Sequence, residues 1–393
     1  MRRVRASLLG ISRRTVARVV SMGALVSEWR PELSWLVKAR SQDDVDSLQR
    51  LRAAGLSGVC AFVERNELAH EAGGPTVVAP LASVEANDVV AMTPGRGELQ
   101  VLYRESDAHH TVFLTNRCNS RCVMCSQPPT NHDDSWLVEE AKQLARHIGG
   151  APNVVGFTGG EPLLLGLELR DVLQTFDAHL PDTRFEILTN GRRLTDRALA
   201  DELLAGMPKR VCWMVPLYGH ADFLHDEVVQ SEGAFDETIG GLLNLQASGQ
   251  AIQLRVVLIE PVLEALTDLC IFVAKNMPFV REVALMGCEP VGFALANRSI
   301  CETDIRQWEA TLSRAVHILQ RGGLPVMLMN LPLCALPEDL WPLAQRSISD
   351  WKQVYAPECA ECSVRANCCG LFAWHKRGWR PTTLQPISQM APT

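Results

Sequence analysis

The spacing of apolar residues changes character near residue 110. Beyond it, short apolar runs alternate with stretches whose apolar positions recur every three to four residues, the period of a helix with one buried face. The pattern predicts strands at 111–115, 153–157, 185–188, 211–217, 252–259, 282–285 and 325–329. Between them it predicts helices at 136–148, 169–180, 194–205, 235–247, 264–275 and 305–321. Strand–helix alternation of this kind implies a parallel sheet with right-handed crossovers. Six such units, not eight, predict an α/β chain built as an open or partial (β/α)6 barrel. In barrels of this type the loops at the carboxyl ends of the strands carry the site.

Upstream the pattern is mixed. Residues 1–30 read as basic and helical, residues 42–54 as a helix, and 58–63 and 88–92 as strands, with a turn at 93–97 leading into 98–103. This predicts a small α+β or β-rich domain over 1–107, with no readable role. The barrel is expected over 108–330. From Leu331 the chain turns irregular and cysteine-rich, predicting a separate domain at 331–380 and a proline- and serine-containing tail at 381–393.

Composition narrows the function classes. The chain has 393 residues, 47% of them hydrophobic, enough to bury a large core. A net charge of −7 argues against a general nucleic-acid binder. No apolar run reaches the roughly 18–20 residues that span a bilayer. Arginines interrupt the apolar run after Ser12-Arg13-Arg14-Thr15, and no A-x-A site follows it, so a cytoplasmic protein is expected. The 13 cysteines gather mainly at 118–125 and 359–369. Clusters at C-x2-C spacing in a long chain point to metal in a reducing compartment, not to a secreted disulfide scaffold.

The chemistry concentrates at strand ends. Cys118, Cys122 and Cys125 form C-x3-C-x2-C after the first barrel strand. Three cysteines can hold a [4Fe–4S] cluster and leave one iron open for a ligand that is not protein. The alternatives are a zinc site, for which no fourth ligand lies at finger-like spacing, and a set of buried thiols. Gly159-Gly160-Glu161-Pro162 ends the next predicted strand, where two glycines permit close backbone approach beside a carboxylate. Thr189-Asn190-Gly191 ends the third. Either can also be a plain turn. Cys334, Cys359, Cys362 and Cys368, with Cys369 as alternate, suit a Zn(Cys)4 knuckle or an iron–sulfur cluster. Cys60, Cys212, Cys270, Cys288 and Cys301 read as isolated thiols: Cys212 and Cys270, in apolar runs, are expected in the core, and Cys288, at a strand end, can line a cavity.

Taken together, Cys118, Cys122 and Cys125, then Thr158-Gly159-Gly160-Glu161-Pro162, then Leu188-Thr189-Asn190-Gly191 resemble the radical S-adenosylmethionine (SAM) superfamily over about 108–325. The resemblance implies that the three cysteines hold a [4Fe–4S] cluster whose open iron binds SAM. It implies that Gly159, Gly160, Glu161 and Pro162 bind the methionine ammonium, and that Thr189 and Asn190 lie near ribose or carboxylate. Arg255 would bind the carboxylate or else be an exposed strand arginine, and Met286 would contact adenine. The family commonly places an aromatic residue just before the third cysteine; here it is Met124, a softer contact.

The C-terminal cysteines resemble the shortened auxiliary-cluster domains of the SPASM and twitch type, which implies a second [4Fe–4S] cluster. Cys122–Pro129, Val215–Gly219 and Ser347–Lys352 resemble the maturases of His-Xaa-Ser systems. Those are associated with a second radical SAM protein and a small protein bearing His-Xaa-Ser repeats. The expectation is an enzyme that cleaves SAM to a 5′-deoxyadenosyl radical and modifies a peptide, served by an electron donor. The rivals are the same chemistry on a small molecule or nucleoside, and a non-catalytic metal-binding assembly partner.

Overall fold

The computed structural model describes residues 2–346, 353–373, 375, 379 and 382–388. The Ser347–Lys352 stretch of the resemblance lies outside them. The chain divides into two compact units: residues 1–112, 135–155 and 172–183 form one, and 113–134, 156–171 and 184–393 the other.

The first unit holds β1 (Arg3–Arg5), β2 (Ser7–Leu9), β3 (Thr15–Ser21), α1 (Met22–Glu28), β4 (Trp35–Lys38), α2 (Gln42–Ala53), β5 (Val59–Val63), α3 (Asn66–Glu71), β6 (Thr76–Val78), β7 (Val89–Thr93) and β8 (Glu98–Tyr103). They make one eight-stranded sheet in the order β1-β8-β7-β3-β4-β5-β6-β2. Its two edge strands are consecutive in the chain, joined by Ala6 alone, so the sheet curls back toward closure. Residues 1–30 were expected to be helical; only Met22–Glu28 is. Thr15, Val16, Val19 and Val20 are β-branched, and they pair with β7 and β4, partners 17 to 77 residues away that local periodicity does not register. Both faces of the central strands are covered. Cys60 and Phe62 of β5 enter one core and Val59, Ala61 and Val63 the other, which makes that strand apolar throughout.

α4 (Trp136–His147) also belongs to this unit. Arg14 reaches it through an ion pair to Glu140 at 2.5 Å and stacks over Trp136 at 4.8 Å. Its His147 Nε2 accepts the Ser34 amide at 3.1 Å.

The barrel strands are β9 (His110–Phe113), β10 (Val154–Thr158), β11 (Arg184–Leu188), β12 (Val211–Pro216), β13 (Ala251–Leu258), β14 (Glu282–Gly287) and β15 (Val326–Met329). They form a seven-stranded sheet in sequential order, with β11 through β15 paired in parallel. The helices are α5 (Leu167–His179), α6 (Arg197–Leu204), α7 (Asp222–Val229), α8 (Ala234–Ala247), α9 (Glu260–Glu264), α10 (Leu266–Asn276), α11 (Phe293–Ala296), α12 (Arg298–Cys301) and α13 (Glu309–Arg321). This is the expected α/β architecture of six strand–helix units and a closing strand. Three of the helices, α7, α11 and α12, are too short to register in the periodicity, and all three serve the site. No helix among the described residues is long and apolar enough to cross a membrane.

In β11 one face is buried and the other half-buried, Phe185 and Ile187 alternating with Glu186 and Leu188, and through β14 the second face mixes half-buried Cys212, Arg255 and Met286 with buried Met214, Gln253 and Ala284. The half-buried face lines the inside of the sheet.

Candidate cofactor site

The loop from Leu114 to Asp134 follows β9 and contains no helix or strand. Its shape is imposed by Asp134, which is 4% exposed. One carboxylate oxygen accepts from the amide and, at 3.0 Å, the side chain of Asn116, and the Thr115 hydroxyl donates to it at 3.2 Å. The last carbonyls of a helix lack partners within it. In α7 those of Val228 and Val229 accept the amides of Val123 and Arg121, each at 3.0 Å. The loop is therefore fastened on both sides of its three cysteines.

The Gly-Gly-Glu-Pro turn docks directly on this loop. The Gly160 amide donates to Thr115 O at 2.6 Å and the Glu161 amide to Arg117 O at 2.8 Å. A Cβ on Gly159 would stand 2.5 Å from Thr115 O, and one on Gly160 would collide with Arg117 O. The glycines are needed for this approach of one backbone segment to the other.

Glu161 has a different task from the one expected of its side chain. It is 1% exposed, and its carboxylate accepts from Leu163 N at 2.8 Å, the Thr189 hydroxyl at 2.5 Å and Asn190 N at 2.6 Å. Burial pushes its pKa up, against these donors, which pull it down. The carboxylate thus ties the end of β10 to the end of β11. Asn190 continues the chain of bonds, donating to Asn119 Oδ1 at 2.7 Å. Arg192 completes it: Nη1 donates to Asn119 O at 2.6 Å and Ser120 Oγ at 2.9 Å, and Nε pairs with Glu237 at 2.6 Å. Gly159, Gly160, Glu161, Thr189 and Asn190 are thus assembled around Cys118–Cys125. Pro162 is buried as the first residue of a short 3-10 turn.

The three thiols are half-buried. Burial raises Cys118 to about 11 and Cys122 to about 12, and the charges of the neighbouring cysteines push both further up. Cys125 is also raised by burial. Three soft donors whose charges oppose one another suit a cationic inorganic centre, which would relieve that repulsion. The donor set and the glycine cradle fit a cluster ligated by these cysteines.

The inner face of the sheet carries the remaining expected residues. Arg255 is half-buried there, donating from Nε to Gln253 Oε1 at 2.8 Å, while Gln253 donates to Glu282 Oε1 at 2.8 Å. Burial lowers its pKa, opposed by Glu186, Cys212, Glu282 and Tyr218. It is an inward arginine and not an exposed one. Cys212 shares this face beside Glu186 and is half-buried, not in the core as expected. Met286 stands in register with Val257 and Met329. Met124 is buried in the cysteine loop. Tyr218 is 7% exposed, and burial raises its pKa well above the ordinary value, with the charges of Cys122, Cys125 and Cys288 adding to the rise and Arg255 opposing it.

The segment after β14 closes on the cysteine loop. Phe293 N donates to Cys125 O at 2.8 Å and Asn297 Nδ2 to Val123 O at 2.8 Å, while Arg121 stacks over Phe293 at 5.7 Å. Cys288 and Cys301 lie here, both buried, and the influence of each thiol on the other raises the pKa of Cys288 and lowers that of Cys301.

In the C-terminal region, Cys334, Cys359, Cys362 and Cys368 line one cavity, together with Tyr355 and Arg365. Cys369 is not among its lining residues; it is 3% exposed, its thiol donates to Gly370 O at 3.3 Å, and its proximity lowers the pKa of Cys368 to about 6. Residues 384–386 line the same cavity, so part of the expected tail packs on the cysteines. Four thiols at one cavity fit either a cluster or a tetrahedral zinc by donor type. Among the described residues, no three His, Cys, Asp or Glu side chains are already drawn together as a single ion would hold them.

Asp134, Arg192 and His225 were not singled out from the sequence. Arg192 had a usable signal, its position directly after Thr-Asn-Gly; the other two had none at short range. Tyr218 was marked only as part of the Val215–Gly219 strand end.

Residues 112–266 match the family model described as Radical SAM superfamily. The probable GTP 3′,8-cyclase of Methanocella arvoryzae is 27% identical over 175 residues, covering 44% of this chain and 54% of that protein. The GTP 3′,8-cyclase of Mycobacterium sp. (strain KMS) is 34% identical over 137 residues, covering 33% of this chain and 35% of that protein. The chain thus spans about half or less of these relatives' length. Among solved structures, Streptococcus suis SuiB bound to S-adenosylmethionine is 15% identical, with 63% of this chain and 55% of that chain covered at a TM-score of 0.46. That superfamily implies a [4Fe–4S] cluster and SAM, and the donor set of the cysteine loop with its glycine cradle fits them: residues 112–266 resemble a radical SAM superfamily domain.

Proposed function

We propose that this chain is a radical SAM enzyme that modifies a peptide, with Cys118, Cys122 and Cys125 holding the SAM cluster and Cys334, Cys359, Cys362 and Cys368 an auxiliary one. Bound at the first site, the cluster would supply the electron that cleaves SAM to methionine and a 5′-deoxyadenosyl radical. The protein's part is orientation and exclusion of water. Glu161 and Arg192 fix the strand ends against the cysteine loop. Gly159 and Gly160 bring backbone carbonyls close enough to receive an ammonium group. Arg255 offers a guanidinium inside the sheet for a carboxylate, and Met124 and Met286 offer apolar surface for a ring.

The observation that carries the peptide reading is the convergence of four C-terminal cysteines on one cavity, outside the superfamily match. It supports the resemblance to auxiliary-cluster peptide maturases, and with it a His-Xaa-Ser repeat protein as substrate and a second radical SAM protein as partner. A second reading, the same chemistry on a small molecule or nucleoside, is favoured by the partial match to GTP 3′,8-cyclases.

The test is anaerobic reconstitution of the full chain, followed by iron, sulfide and zinc analysis and incubation with SAM and dithionite. Two clusters of four irons each are expected, with 5′-deoxyadenosine formed by wild type and not by Cys122→Ala. Four irons plus zinc would remove the auxiliary cluster. Equal SAM cleavage by wild type and Cys122→Ala, or none by either, would sink the enzyme. Deuterium passing from a labelled His-Xaa-Ser peptide into deoxyadenosine selects the peptide reading; passage from labelled GTP selects the other.

A further inference from the structure

Cys288 and Cys301 were read as isolated thiols, and the fold makes them a pair. They come from different elements, the loop after β14 and the end of α12. Both line one small cavity with Thr303, Ile305 and Trp379. They are 7% and 2% exposed. Neither belongs to the two cysteine groups assigned to clusters. Their surroundings are the clamp on the first cysteine loop: the Cys301 thiol lies 3.9 Å from Val123 O, the carbonyl that also accepts from Asn297.

We propose that Cys288 and Cys301 form a closable dithiol, a disulfide site that fastens α12 to the end of β14 behind the cysteine loop. The co-reactant is a low-molecular-weight disulfide. One cysteine thiolate attacks it, forming a mixed disulfide and releasing one small thiol. The second cysteine displaces the other small thiol and closes the Cys288–Cys301 bond. The two cysteine sulfurs lose two electrons, the disulfide gains them, and the two thiol protons leave on the released thiols. Both thiols line the same small cavity, so closure joins two groups that the fold already brings together. Closure joins two segments that hydrogen bonds already hold, so it converts a reversible clamp into a covalent one.

The test is disulfide mapping of the reconstituted full chain after anaerobic equilibration in glutathione buffers of increasing oxidised share. Samples are quenched in acid, alkylated in denaturant and digested with trypsin, which places Cys288 alone in residues 282–298 and Cys301 alone in 299–306. A linked 282–298/299–306 species is expected to rise with the oxidised share, while Cys270, a buried single thiol, stays alkylated. In Cys301→Ser, Cys288 is expected to end as a mixed disulfide with glutathione or a free thiol, with no linked species. Recovery of both wild-type peptides as separate alkylated or glutathionylated species at every ratio would overturn the proposal. So would linkage of either cysteine mainly to another partner.

Discussion

Glu161 and His225 show how much of a cofactor site is structural bracing. Glu161 was expected to face a ligand, yet three donors from its own chain occupy its carboxylate. The motif was legible because its glycines and carboxylate are adjacent in sequence. Its use was not, because Thr189 and Asn190 lie 28 and 29 residues away. His225 had no signal at all. It is 1% exposed, accepts the Tyr218 amide on Nδ1 at 3.2 Å and stacks on the Tyr218 ring at 5.7 Å. Burial lowers its pKa from 6.5 to about 4, with Asp226 opposing and Arg192 assisting. The folded value is the depressed one, so between pH 6.5 and 4 the unfolded chain binds more protons. The stabilisation is present above 6.5 and is lost as the pH falls. Between pH 7 and 5 this one group is expected to remove about 2 kcal/mol of stability. Denaturant titration of the full chain at both pH values, beside His225→Gln, checks it. Gln keeps an acceptor for the Tyr218 amide without titrating, so the variant should lose less stability over that interval. Equal losses would show that His225 is not the titrating group.

At the scale of elements, the barrel was readable and the N-terminal sheet was not, for one reason. Strand–helix units repeat a local period and pair with their sequence neighbours, as β11 to β15 do. The N-terminal strands pair out of order, β3 between β7 and β4, so valines among arginines gave no hint of their partners. Short α11 also escaped notice, although the turn that starts it is specific. Gly292 has φ +63°, and a Cβ there would meet Ser126 O at 2.7 Å as well as Cys125 O. Gly249 has a similar φ of +67° with nothing within 4 Å. Alanine at either position is expected to cost about 1–2 kcal/mol for the left-handed backbone. Only Gly292→Ala adds displacement of the cysteine loop. It should therefore melt below Gly249→Ala and retain less iron after reconstitution, whereas Gly249→Ala should match wild type in iron. Equal iron contents in the two variants would mean that α11 does not hold the loop.

At the scale of the whole molecule, the chain is not divided where its sequence changes character. The apolar pattern shifts near residue 110, but α4 groups with the first 112 residues. Its anchors are Arg14 to Glu140 at 2.5 Å, Arg14 over Trp136, and Ser34 N to His147. Hydrogen bonds to charged groups contribute about 1.5–3 kcal/mol each, and a cation–π contact about 0.5–1 kcal/mol. Total stabilities are only about 5–15 kcal/mol, so losing these anchors together is a large fraction. A fragment of residues 108–393 keeps every cysteine of both proposed cluster sites and the entire superfamily match. If the N-terminal residues were a mere appendage, it would melt with the full chain. We expect it to melt lower and less cooperatively by circular dichroism, because α4 and the second half of α5 lose the unit to which they belong. Adding back residues 1–107 as a separate chain should restore part of the loss if the strands of that segment assemble around α4. A fragment with the melting temperature of the intact protein would show that α4 draws its stability from the barrel.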